Sequence, residues 1–244
     1  YCWYEFIGSL TAFSTLMLVY IGYGAAAATG MFVVEILAGL LVLLRAEKMS
    51  FDSQSFEEYE LLINSFLYIV AVHAAFSLDI LAVQYFFSGE VTGLYNAVAV
   101  IGKGLFFGAV AVNRTVFPKF VTDEASRMKN LILSQSILIF GGLFAVFFLS
   151  FFGEQFLTYT FGATYAEAAV YAPHYMLMIS GISSVALLSN YCISVDLKVV
   201  RYAIMMPILQ VVLIALFHES VLQIIYSTLV ASLLVALILL VPVV

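Results

Sequence analysis

Lysine and arginine recur in every second gap between the apolar runs of this 244-residue chain, and that alternation limits the fold more than any other feature. Eight runs can be read, at about 3–22, 24–45, 60–87, 92–117, 130–152, 166–194, 200–217 and 221–243. Arg45 and Lys48 follow the second run, Lys119, Arg127 and Lys129 the fourth, and Lys198 and Arg201 the sixth. The gaps after the first, third, fifth and seventh runs carry no Lys or Arg. Basic residues concentrate in the cytoplasmic loops of membrane proteins. The pattern therefore predicts a multi-pass protein of the cytoplasmic (inner) membrane, with both ends of this sequence in the cytoplasm. The other two of the nine basic residues, Lys103 and Arg114, lie inside the fourth run.

Run length agrees with that assignment. A hydrocarbon core of about 30 Å needs about 20 apolar residues per helix. The chain is 64% hydrophobic and only 10% charged, with a mean hydropathy of +1.12, where soluble domains carry about 25% charged residues. A β-barrel would alternate polar and apolar residues instead of running continuously. Helices also satisfy their own backbone polar groups, as lipid demands. The sequence thus predicts an all-α integral membrane protein with about eight transmembrane helices. The polar stretch 46–59 is the clearest internal boundary, expected as an amphipathic surface segment at the cytoplasmic face. It separates a helical pair (1–45) from a six-helix group (60–244). Because the chain starts at Tyr1 without a basic leader, it is expected to be a piece of a longer protein. Gly153 to Tyr165 reads as a long, irregular outward-facing connection, and Pro207 is expected to kink or break the seventh run.

Ionisable residues at membrane depth are costly and face a cavity or a partner. Glu35, His73, Asp79, Lys103, Arg114 and His174 fall in this class. In the fourth run Asn96, Lys103 and Arg114 return to nearly the same helical face, since their spacings are close to whole numbers of turns. In the third run Tyr68 and Asp79 share a face, with Asn64 near it. Two neighbouring helices would then offer one basic and one acidic polar face. One reading is a hydrophilic cavity that holds an anionic substrate on Lys103 and Arg114, assisted by Asn96, Tyr68 and Asn64. Asp79, Glu35 and His174 would then serve ion coupling. The other reading is an Asp79–Lys103 structural ion pair, with Arg114 reaching toward the headgroups. His73 lies off the Tyr68–Asp79 face and reads as a packed histidine. Gly104 and Gly108 form a GxxxG pattern that permits close helix contact.

Several chemistries lack their residues. Gly22-Tyr-Gly24-Ala-Ala-Ala27 imitates a dinucleotide fingerprint without its βαβ setting. The sequence contains no Walker A motif, no HExxH, no GxSxG and no paired cysteines. Cys2 and Cys192 read as small buried residues. Asn113-Arg-Thr115 fits a glycosylation sequon at the cytoplasmic end of its run. No enzyme activity, cofactor, metal or nucleic-acid partner is expected.

The stretch Ser77-Leu-Asp79-Ile-Leu-Ala-Val-Gln-Tyr-Phe-Phe-Ser-Gly89-Glu90-Val-Thr-Gly93-Leu-Tyr95-Asn-Ala, closed by Phe117-Pro118-Lys119, narrows the class. With Phe161-Gly162-Ala-Thr-Tyr165-Ala-Glu-Ala168 and Asn190-Tyr191, it resembles the polysaccharide-transporter branch of the multidrug/oligosaccharidyl-lipid/polysaccharide (MOP) exporters. The likeness covers 60–198, and Lys119 stands where that family often has Arg. The resemblance implies a MATE-like flippase fold of two six-helix lobes. Residues 1–45 would be the last two helices of a truncated N-terminal lobe, and 60–244 the C-terminal lobe. It further implies flipping of lipid-linked oligosaccharide or polysaccharide units (polyprenyl-phosphate type) by alternating access coupled to H+ or Na+. The protein is expected as a monomer among membrane lipids, in company with polysaccharide-assembly proteins. Alternatives are a multidrug or peptidoglycan-lipid exporter of the same superfamily, or a membrane-embedded polysaccharide polymerase or ligase. The basic fourth run argues against a drug exporter, and the outward 153–165 segment lacks the basic residues a polymerase loop would carry.

Overall fold

A computed structural model describes residues 54–195 and 197–242, with side chains from residue 63 onward. All its regular elements are helical: α1 (Gln54–Phe86), α2 (Gly89–Thr122), α3 (Arg127–Phe161), α4 (Ala172–Ser194), α5 (Met205–Leu216) and α6 (Val221–Leu240). Short 3-10 segments, Ala163–Val170 and Lys198–Ile204, lead into α4 and α5. Among the described residues, six segments are long and apolar enough to cross a membrane: Ile63–Phe86, Gly89–Thr122, Arg127–Phe161, Ala172–Ser194, Lys198–Leu216 and Val221–Leu240. They correspond to the third through eighth apolar runs. The first two runs, and Glu35 within them, lie outside the described residues. The chain divides into two compact units, residues 1–66 and 67–244. The architecture below is that of the second unit.

Helix boundaries follow local chemistry. Ser88 precedes α2 and its Oγ accepts from the Val91 N–H at 3.5 Å, with Glu90 in the first turn; both suit the electropositive start of a helix. At the other end, Arg127 Nε donates to the Phe120 carbonyl at 2.6 Å and so occupies an otherwise open C-terminal acceptor. Ser220 caps α6 through the Gln223 N–H, while Gln223 Oε1 accepts from the Glu219 N–H at 2.8 Å. This reciprocal pair is close to a capping box. Pro173 sits in the first turn of α4, where a missing N–H costs nothing.

One boundary differs from the sequence expectation and another refines it. The segment 153–165 is not an irregular loop: α3 continues to Phe161 and breaks only at Gly162, whose φ of 105° lies outside the range comfortable for side-chain-bearing residues. Gly153 looked like a breaker but is a packing residue, since a Cβ there would sit 3.6 Å from Ala169. At Pro207 the run is broken, as expected, and not kinked within a continuous helix. The α-helix begins at Met205, so the proline lies in its first turn, preceded by 3-10 structure.

α4 is the centre of the unit. Of its membrane-spanning stretch 72% is buried, against 22% for α3. Its neighbours approach closely because glycines stand at the contacts, the usual device where helices associate without a hydrophobic drive. Gly102 of α2 faces the Tyr175 ring, Gly142 of α3 faces Ser180, and Gly181 of α4 faces Ser232 and Leu229 of α6. The Gly104–Gly108 pair singled out from sequence is not among these contacts; no described atom lies within 4 Å of a Cβ at either position. The outward side of α3 is aromatic, with Phe140, Phe144, Phe147, Phe148, Phe151 and Phe152 exposed, as a hydrocarbon-facing surface requires. Hydroxyls along the helices are returned to carbonyls one turn back, for example Ser134 to Asn130 and Thr160 to Phe156.

The turns alternate in charge as the sequence predicts. Phe86 stacks on His218 at 4.2 Å, which brings the α1–α2 and α5–α6 turns to one end. Phe120 meets Tyr191 edge-on at 5.3 Å, which joins the last turns of α2 and α4 at the other end. Lys119, Arg127, Lys129, Lys198 and Arg201 lie at that second end, together with Asp123 and Glu124, whereas the turns at the first end carry Glu90 and Glu219 and no Lys or Arg.

Adjacent glycines in α3 test the packing account. Gly142→Ala places a Cβ against Ser180 and should destabilise the folded protein by about 1–3 kcal/mol, the usual cost of overpacking. Gly141→Ala points into open space and should be neutral or stabilising by up to about 1 kcal/mol. Thermal unfolding in detergent, followed by size-exclusion fluorescence, measures both; equal midpoints would contradict the assigned faces.

Candidate functional site

Asp79 is fully buried, four residues after Ala75 on α1. Its Oδ2 accepts from the Tyr95 hydroxyl of α2 at 2.7 Å and from the Tyr175 hydroxyl of α4 at 3.1 Å. The two tyrosine rings meet edge to face at 5.4 Å. Oδ1 has no hydrogen-bond partner. One carboxylate thus ties three helices together. Gly102 makes the arrangement possible, because any side chain there would strike the Tyr175 ring.

Lys103 follows Gly102 and turns to the outer side of the same contact. Its Nζ sits over the Phe76 ring, 4.6 Å from the centroid, in cation–π geometry. Phe76 lies three residues before Asp79 and therefore on the same side of α1. Its ring is flanked by Phe106 at 4.6 Å and Phe107 at 6.4 Å. The direct Asp79–Lys103 ion pair considered from sequence is not formed. The two tyrosines, not the lysine, make the carboxylate's side-chain contacts.

The basic stripe takes shape on α2. Asn96 and Arg114 are exposed and Lys103 is half-buried, all on the face that also carries Val100, Phe107 and Ala111. The acidic stripe does not. Asp79 points into the unit instead of lining an open face opposite Lys103. Tyr68 is half-buried and donates to the Ala186 carbonyl of α4 at 3.3 Å, and Asn64 is buried. A helix carries several faces, and residues eleven apart can share one that is turned inward; spacing alone does not reveal this.

The other candidates are dispersed. His174 lies at the start of α4, with Nδ1 2.7 Å from the Tyr226 hydroxyl of α6. It is next to Tyr175 in sequence but does not join Asp79. His73 Nδ1 lies 2.9 Å from the Ile69 carbonyl one turn back, as a packed histidine does. Asn113 is buried within α2, which disposes of it as a glycan acceptor. Among the described residues, no three His, Cys, Asp or Glu side chains come together as metal ligands.

Sequence reading missed Tyr95 and Tyr175, and also Gln210. Gln210 is fully buried on α5 and donates to Thr228 Oγ1 at 2.9 Å and to the Ala75 carbonyl at 3.2 Å. It links α1, α5 and α6 one turn from Asp79. A lone Gln in a run of otherwise apolar residues was the available signal. Tyr95 stood out only as a residue of the quoted motif, and since tyrosines are common in membrane segments nothing marked it or Tyr175 as a partner of Asp79.

No protein-family model, curated protein or solved structure matches this chain.

A double-mutant cycle tests the contact that shapes the site. Gly102→Ala should destabilise by about 1–3 kcal/mol in the native background, and by much less when Tyr175 is already Ala, because the ring it displaces is gone. Thermal unfolding of the four proteins gives the coupling. Additive effects would show that Gly102 does not act through Tyr175.

Proposed function

We propose that this chain is part of a transporter that moves lipid-linked oligosaccharide or polysaccharide units across the cytoplasmic membrane by ion-coupled alternating access. The observation that carries the reading is the face of α2 along which Asn96, Lys103 and Arg114 lie, with neither cation in a salt bridge to a carboxylate among the described residues. Cations at membrane depth cost about 2.5–3.5 kcal/mol each on insertion scales, and a purely structural helix would bury or neutralise them. An aqueous lumen that receives an anion offsets that cost. A phosphate-linked lipid head suits both groups, since Lys offers a compact charge and Arg a planar fork of donors. The resemblance of residues 60–198 to the polysaccharide transporters supports the same assignment. On this reading the basic helix ends face the cytoplasm, the partners are a polyprenyl-phosphate-linked glycan and a coupling ion, and the chain makes or breaks no covalent bond. The basic stripe disfavours a drug exporter, which would attract cations, while a peptidoglycan-lipid substrate remains within the same chemistry.

Lys103→Ala should abolish export of repeat units when this segment replaces the matching lobe of a full-length exporter, while membrane-inserted protein stays at the wild-type level. Arg114→Ala should lower export at least tenfold. Surface-polysaccharide staining and membrane immunoblots read the two quantities. Normal surface polysaccharide in Lys103→Ala would sink the assignment.

A further inference from the structure

Asp79 takes its hydrogen bonds unevenly. The Tyr95 and Tyr175 hydroxyls both donate to Oδ2, while Oδ1 has no partner although the residue is fully buried. An ionised carboxylate spreads its charge over both oxygens, and a buried one persists only when it is paired or well supplied with donors. Among the described residues Asp79 takes part in no salt bridge, and the Lys103 ammonium sits over the Phe76 ring instead. The neutral acid divides its roles differently: its carbonyl oxygen offers two lone pairs, and its other oxygen carries a donor. Two donors on one oxygen and none on the other is the pattern of the acid.

A second observation is independent of the tyrosines. This stretch of α1 is short of donors. Gln210 meets the helix at the Ala75 carbonyl, one turn before Asp79, and spends its amide N–H groups on that carbonyl and on Thr228 Oγ1. Its own Oε1 is buried with nothing to accept, like Asp79 Oδ1. Two buried acceptors without a donor are costly, since each forfeits its water without replacement. One added proton turns the first of them into a donor.

We infer that Asp79 is a neutral carboxylic acid in the folded protein, with its proton on Oδ1 and both tyrosine hydroxyls donating to the carbonyl oxygen Oδ2. The proton is taken from solvent as the helices close, and no covalent bond other than O–H forms. The tie between α1, α2 and α4 is then an uncharged knot. The two hydroxyl bonds offset much of the cost of burying a charge, and the proton removes the rest. The groups that face Asp79 fit this state. Tyr95 from α2 and Tyr175 from α4 keep their protons as donors, Gln210 from α5 does not titrate, and Lys103 lies on the outer side of the α1–α2 contact. Lys103 therefore has no buried counter-charge in the described unit, and the α2 face keeps its positive charge. Protonation of Asp79 does not depend on the transport reading above.

Infrared spectroscopy tests it directly. The aspartates of the chain are Asp52, Asp79, Asp123 and Asp196, and only Asp79 lies within an apolar run. Wild type would be prepared with and without carbon-13 at the aspartate side-chain carboxyl, in detergent at neutral pH. The expected result is a protonated-carboxyl C=O band that moves with the label and is missing from Asp79→Asn. A label that moves carboxylate bands alone overturns the inference. If Asp79→Asn does not fold, the labelled and unlabelled wild type still decide, because the other three aspartates lie in polar segments and are ionised at neutral pH. Thermal unfolding adds a readout that a pH-independent packing role would not move. An unfolded aspartate titrates at about 3.9, so unfolding near neutral pH releases the proton, and the folded state loses stability as pH rises. The unfolding midpoint of wild type should fall relative to that of Asp79→Asn between mildly acidic and mildly alkaline buffer. A difference that stays constant, or that grows in favour of wild type, overturns the inference.

Discussion

A carboxylate at membrane depth is among the most expensive groups a helical protein can bury, and the described unit is organised around how Asp79 is accommodated. Two tyrosine hydroxyls from two different helices converge on one of its oxygens. Hydrogen bonds to a charged group are worth about 1.5–3 kcal/mol each, so the pair goes far toward offsetting desolvation. That convergence dictates the positions of α1, α2 and α4 relative to one another. It also explains why α2 carries a glycine at 102: Tyr175 can reach Asp79 only across a position without a side chain. Gln210 repeats the device one turn away with a neutral amide, tying α5 and α6 to α1.

Most of the helical layout is legible in the sequence because lipid imposes it. Continuous apolar runs must be helices, and turns between them must carry the charges. The described spans accordingly match the third to eighth runs. The ends are less legible. α2 runs past Pro118 to Thr122 and α3 past Gly153 to Phe161, because Pro and Gly break helices only where packing or hydrogen bonding does not compensate. At 1.5 Å per residue these two helices reach about 50 Å, well beyond a hydrocarbon core of about 30 Å. Hydropathy reads the part of a helix inside that core and is silent on the part beyond it.

The candidate site was half legible for a related reason. Asn96, Lys103 and Arg114 share a face because helical periodicity alone puts them there. The orientation of that face, and of Asp79 on α1, depends on contacts between helices far apart in sequence. Periodicity places Tyr68 and Asp79 together but does not say that they turn inward, toward Ala186 and Tyr175. Glycine offered a similar contrast. The recognisable GxxxG at 104 and 108 meets no described neighbour, while the single glycines 102, 142 and 181 form the close contacts. A glycine's role is set by the side chain opposite it, and sequence does not display that residue.

The central claim is that the Lys103 face of α2 borders water and receives an anion instead of lying against lipid. Cysteine accessibility tests it most directly. Single cysteines at Asn96 and Ala111, and a control at Phe144 on the aromatic side of α3, would be introduced with Cys2 and Cys192 replaced by Ser or Ala. Each would be exposed to a charged, membrane-impermeant thiol reagent in intact membranes. The account predicts modification at 96 and 111, slowed by farnesyl pyrophosphate, and none at 144. Absence of labelling at 96 and 111 from either side of the membrane, in protein that is correctly inserted, would contradict it.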